Sequence, residues 1–269
     1  MKISQCLKAS IAVLLLSGAT VIGGKQVQAT EHSVNGSVTV EGKDTSDPID
    51  PEKPGEEVDP GEGPSTKGDL RIDFASALNF GSAEITKTDR QFDSLAQLFH
   101  SDTEARGYYI QVSDYRGEAA GWTLTLSQDA QFHSSIIQDL ENQSLDGAVL
   151  SFGNGWANSA GSSGTPTVSR DTLGLNEMGT AYTVATAGSK EGKGVWSIAF
   201  GASSENTSNQ ENTLSPLKDS EGNAVMDTTF NKQAHSNSAV FLTVPDTTKI
   251  YPVQYTTTLT WTLEAGPTE

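Results

Sequence analysis

The chain has 269 residues and is strongly acidic, with 17 Lys and Arg against 34 Asp and Glu and a formal net charge of −17. That balance argues against nucleic acid and anionic membranes as partners, because both demand basic patches. The one cysteine, Cys6, lies close to the N-terminus, so the rest of the chain has no thiol for a disulfide or a thiolate metal site.

In chain order, the first 29 residues read as a secretory leader. Lys2 and Lys8 supply a positive start, Ile11 to Leu16 an apolar stretch, and Val27-Gln28-Ala29 a small-residue cleavage site. The apolar run is too short to span a bilayer, and Cys6 precedes it, so cleavage removes the cysteine along with Lys2, Lys8 and Lys25. Residues 30–69 follow with five of the ten prolines. Within them, 41–69 hold ten carboxylates against three lysines. Few apolar residues and repeated proline predict an extended, disordered tether outside any core, serving as a spacer or only as a solubilising leader.

From Leu70 the composition changes, and 70–269 read as one domain long enough to bury a substantial core. Candidate strands are 70–74, 108–113, 122–127, 148–152, 181–186, 195–200, 239–244 and 256–263, all rich in β-branched or aromatic residues and bounded by Gly, Asn, Asp or Ser. The strands at 108–113 and 122–127 are expected to form a hairpin. Helical spacing is limited to Phe92, Leu95, Ala96 and Phe99, and in part to Ile136, Ile137 and Leu140, enough for a turn or two. The stretches 153–167 and 201–236 read as surface excursions. The predicted class is an all-β sandwich.

Catalytic chemistry is hard to find. His32, His100, His133 and His235 are isolated and lack the spacing of a zinc site. Gly161-Ser162-Ser163-Gly164 fails the nucleophile-elbow pattern, and nothing picks out a glycosidase-type carboxylate pair. The expectation is a non-enzyme without metal or cofactor.

The most informative feature is a repeated strand pattern, Trp122-Thr123-Leu124-Thr125-Leu126 and Leu259-Thr260-Trp261-Thr262-Leu263. A strand puts alternate side chains on one face, so Trp122, Leu124 and Leu126 share a face, as do Leu259, Trp261 and Leu263. Either face is a buried core or presents its indole as a platform for a sugar ring; between these, Trp122 and Trp261 sit on adjacent strands, close the domain's two ends and shape a nearby binding surface. The leucines favour the core.

Over residues 68–269 the chain resembles the WxL-domain family of surface proteins from low-GC Gram-positive bacteria. The resemblance rests on both Trp-x-Leu motifs, on Leu70–Phe74 with Leu78-Asn79-Phe80-Gly81, on Val112–Gly117, on Gly194-Val195-Trp196 and on Val244-Pro245. It implies a secreted protein held non-covalently on the cell wall, with peptidoglycan as ligand. Some members of the family also bind a membrane-anchored WxL-binding companion protein, which the resemblance implies as a second partner. No LPxTG-type sorting signal is present in the sequence, so wall retention is expected to be by binding, and the acidic charge requires stacking, hydrogen bonds or bridging cations. The loop Asp114-Tyr115-Arg116-Gly117 has two readings. Arg116 could pair with a muramyl-peptide carboxylate and Tyr115 stack on a sugar, or the loop is a turn capped by Asp114. The candidate site residues are therefore Trp122, Leu124, Trp261, Leu263, Asp114, Tyr115 and Arg116.

Overall fold

The computed structural model describes residues 46–88, 90–117 and 120–266. The leader and residues 30–45 of the expected tether lie outside this range.

The described chain is all-β. One sheet is ordered β1 (Leu70–Ala75), β3 (Tyr108–Asp114), β10 (Gly194–Phe200) and β6 (Gly155–Asn158). A second joins β11 (Leu214–Pro216), β14 (His235–Thr243), β5 (Val149–Phe152) and β8 (Leu173–Leu175), with β2 (Gln91–Leu95) also paired to β14. A third is ordered β15 (Leu259–Ala265), β4 (Trp122–Gln128), β9 (Tyr182–Ala187) and β7 (Thr167–Val168). A two-stranded ribbon, β12 (Met226–Asp227) with β13 (Lys232–Gln233), completes it. All strand pairs are antiparallel. The three large sheets contribute to one core, with Ile110 and Ile198 from the first, Leu150 and Val240 from the second, and Trp122 and Leu124 from the third.

All eight expected strands form, because their period-two apolar faces all find this core. The expected hairpin does not. β3 pairs β1 and β10, whereas β4 pairs β15 and β9, so the 115–121 connection passes from one sheet to another. Gly121 enables the passage. Its φ is +81°, and a Cβ there would sit 2.2 Å from the Ala187 carbonyl oxygen, so only glycine lets β4 come in against β9. The expected helical turn at Phe92–Phe99 is β2 instead, since β14 offers it a backbone ladder. Near Ile136 there is only a 3-10 turn, Leu140–Asn142. The 153–167 and 201–236 excursions contain β6 and β11 to β13, and they bury Trp156, Ala202 and Leu214.

The larger departure from expectation is the segment 46–69, which packs onto the first sheet instead of trailing as a tether. One face of that sheet points into the main core. The other presents Phe74, Tyr109, Gln111 and Ser113, all buried or nearly so. The segment covers it. Val58 joins Phe74, Tyr109 and Trp156 in a second apolar cluster. The Ile49 amide donates to Gln111 Oε1 at 2.8 Å, and Arg71 donates to Ser46 Oγ at 2.6 Å. Asp50, fully buried, accepts two 2.9 Å hydrogen bonds from the Arg106 guanidinium. Glu52 lies 3.5 Å from the same guanidinium and accepts the Ser203 amide and hydroxyl at 2.6 Å each. Burial alone would disfavour the Arg106 charge. The Asp50 hydrogen bond and the fields of Glu52 and Asp50 outweigh it and raise its pKa. Counting apolar residues misses such a segment, because its anchors are carboxylates.

Removing one partner of a buried pair strands the other charge. Asp50→Ala is expected to destabilise the domain by about 3–5 kcal/mol, read by chemical denaturation. A melting curve matching that of the parent protein would show that the segment is a passive passenger.

Candidate functional site

The two Trp-x-Leu motifs are hydrogen-bonded neighbours. In the β4–β15 ladder Leu126 faces Trp261, Leu124 faces Leu263 and Trp122 faces Ala265. Their environments differ because β4 lies between β15 and β9, whereas β15 is an edge.

Trp122 has no exposed surface, and its indole N–H donates to the Gly192 carbonyl at 3.0 Å. Gly192 has φ +68°, and a Cβ there would lie 2.4 Å from the indole nitrogen. Leu124 and Leu126 are also fully buried. The first motif is core. The second alternates half-buried and exposed residues along its length. Trp261 stacks on Tyr108 with centroids 6.3 Å apart and an interplanar angle of 25°, and it meets Phe152 edge-on. Burial pushes the Tyr108 phenol well above its ordinary pKa, so it stays neutral beneath the indole.

Trp261 and Leu259 form part of one wall of a groove of about 1330 Å³. Other walls come from Leu78, Asn79 and Phe80, from Phe92 and Phe132, and from Ile250, Tyr251 and Tyr255. Glu84 is the one charged residue in this lining, despite the acidity of the chain. Ser76, Gln254, Thr256 and Thr257 add uncharged polar groups. Tyr251 is held at the rim. Its hydroxyl donates to Asp139 Oδ2 at 2.7 Å, and Lys249 donates to the same oxygen at 3.0 Å. Lys249 also lies 4.8 Å from the centre of the Tyr251 ring, and the Tyr251 amide donates to the Tyr255 hydroxyl. The Tyr251 hydrogen bond, with those of Lys249 and Asn142, lowers the Asp139 pKa to about 2.

The Asp114–Gly117 loop is placed elsewhere and forms a turn. Arg116 clasps Asp114 through two hydrogen bonds of 2.8 and 2.7 Å and donates to the Gly121 carbonyl at 2.6 Å. Asp114 is 1% exposed. The hydrogen bond that Arg116 donates to the Asp114 carboxylate raises the Arg116 pKa. Tyr115 is exposed, with the Arg71 guanidinium 5.2 Å from its ring centre. Of the seven candidate residues, Trp261 alone lines the groove. Trp122 and Leu124 lie in the core, Leu263 is half-buried beyond the groove, and Asp114, Tyr115 and Arg116 form the separate turn. The tyrosines at 108, 251 and 255 were missed. A cluster of aromatic residues just before the second motif was the available signal.

Among the described residues no group of three His, Asp or Glu side chains is arranged to hold a metal ion. Among them, too, no helix is long and apolar enough to cross a membrane.

The described residues form an all-β domain with one Trp-x-Leu strand buried at its centre and another at the edge of an open aromatic groove. Residues 27–267 match the WxL domain, described as surface cell wall-binding, and the chain belongs to that family. Comparison with curated proteins and with solved structures finds no match.

Two expectations follow. Trp122→Ala should cost about 3–5 kcal/mol of stability, as for a buried Trp, and Trp261→Ala clearly less, measured by denaturant titration of both variants. Equal losses would contradict the core-and-edge assignment. The Asp139 tether has a folded pKa depressed to about 2. Its contribution is therefore complete above the ordinary carboxylate range of about 4 and disappears as pH falls from there through about 2. An NMR titration of the Asp139 carboxyl with a midpoint near 4 would refute the tether.

Proposed function

We propose that the chain is a secreted, non-catalytic surface protein that holds peptidoglycan non-covalently through the groove beside Trp261. The observation that carries this reading is the groove itself, which combines a half-exposed indole with tyrosines and hydroxyl or amide side chains and has a single charged residue. Aromatic faces suit sugar rings, and scattered polar groups orient their hydroxyls. A nearly uncharged lining also lets an acidic protein approach an acidic wall without placing like charges in the contact. Family membership gives the coarser statement, binding at the cell-wall surface. The residues before Thr30 are a cleaved leader in this reading.

A second reading is docking onto a membrane-anchored WxL-binding protein. It is supported by Ile136 and Leu140, 67% and 78% exposed, on the loop that carries Asp139 beside the groove rim. Exposed aliphatic pairs of this kind suit a protein surface better than a glycan.

Purified sacculi stripped of protein separate the readings. The purified chain should sediment with them, and Trp261→Ala should weaken binding about tenfold while the far-ultraviolet circular dichroism spectrum stays unchanged. Rising salt should leave binding intact, because no ion pair drives it. No binding to bare sacculi would transfer the function to the protein partner, and binding indifferent to Trp261 would place the wall contact outside the groove.

A further inference from the structure

β15 is a long edge strand with an unprotected side. It pairs with β4 on one side and with no strand on the other among the described residues. It comes near β1 but shares no ladder with it. Edge strands in natural proteins are blunted by lysine, proline, bulges or short length. Leu259–Ala265 has seven residues, no proline, no lysine and an unbroken register against β4, and its one charge, Glu264, sits next to its C-terminal end.

The direction of its free backbone groups follows from two hydrogen bonds. Asp129 donates to the Thr258 carbonyl, and Gly266 donates to the Gly121 carbonyl. In an antiparallel ladder, alternate residues turn both backbone groups toward the same neighbour. Residues 258, 260, 262, 264 and 266 therefore turn toward β4, and Leu259, Trp261, Leu263 and Ala265 turn their N–H and C=O outward.

The sequence on that open edge reads the same in both directions, Leu-Thr-Trp-Thr-Leu, with its centre at the outward-facing Trp261. We infer that β15 pairs antiparallel with β15 of a second copy of this chain, about a two-fold axis through the paired Trp261 residues. A two-fold interface brings one patch against itself, and a palindromic strand meets its own complement. Trp261 lies opposite Trp261 and Leu259 opposite Leu263, all three pairs using outward backbone groups. Thr260 lies opposite Thr262 on the exposed face. The same register puts Glu264 opposite Thr258, so no two carboxylates meet. The third sheet then runs through both copies, and the dimer carries two grooves, which raises retention on a repeating polymer through effective concentration. The pairing stands independently of which ligand fills the groove.

The test uses Thr260 and Thr262, both exposed and both outside the groove. Sedimentation velocity of the purified chain should show a dimer whose population rises with concentration. Thr260→Lys with Thr262→Lys sets lysine against lysine across the axis twice and should weaken the dimer about tenfold or more. Thr260→Lys with Thr262→Glu sets lysine against glutamate at the same positions and should restore it. Thr260→Cys with Thr262→Cys, in a chain whose Cys6 has been removed, should form a disulfide-linked dimer on oxidation. The idea is overturned by a parent chain that stays monomeric, by a dimer indifferent to the Lys/Lys pair, or by a Lys/Glu variant as monomeric as the Lys/Lys one.

Discussion

β3 lies inside its sheet with both faces covered, and only one of those faces is apolar. Tyr108, Ile110 and Val112 enter the main core, while Tyr109, Gln111 and Ser113 point the other way and are equally buried. A polar face can leave water only if its groups are rebonded. The acidic segment supplies those bonds, and the Asp50–Arg106 pair at 2.9 Å locks it in place. Charge and proline content therefore mark a covering layer here. The same chemistry explains why Asp50 and Glu52 are tolerated side by side in the interior: one guanidinium, a serine hydroxyl and two backbone amides share their charge.

With that layer closed, the strands of the third sheet divide a single motif into two tasks. Trp122 fills the interior and fixes Gly192 through its indole N–H. Trp261 repeats the pattern one strand over, where the sheet ends and solvent begins. Position in the sheet, not residue type, separates the structural tryptophan from the one that can touch a ligand.

This division sets the limit of what could be read from the chain alone. Period-two alternation located eight of the fifteen strands among the described residues, including both motif strands, and missed β2, β8 and the other short ones. It could not rank β4 as central and β15 as edge, because Trp-x-Leu looks identical in either place and neighbour order is set by non-local pairing. Phe92, Leu95, Ala96 and Phe99 satisfied helical spacing by coincidence, and only the free side of β14 decides for a strand. The 46–69 segment defeated composition because ionic and amide contacts leave no hydrophobic trace. The groove was partly legible, since Leu78-Asn79-Phe80-Gly81 had stood out and lines it. Tyr108, Tyr251 and Tyr255 converge from separate segments, and no linear spacing records that.

The four tryptophans are unequal in a way that has an optical consequence. Trp122, Trp156 and Trp196 are buried, each with its indole N–H on a backbone carbonyl. Trp261 alone is half-buried beside open solvent. Three emitters therefore sit in fixed, dry surroundings, while the fourth has an environment that a guest in the groove would change. The native chain carries its own fluorescent reporter at the candidate site, and its signal stands on a background that binding leaves still.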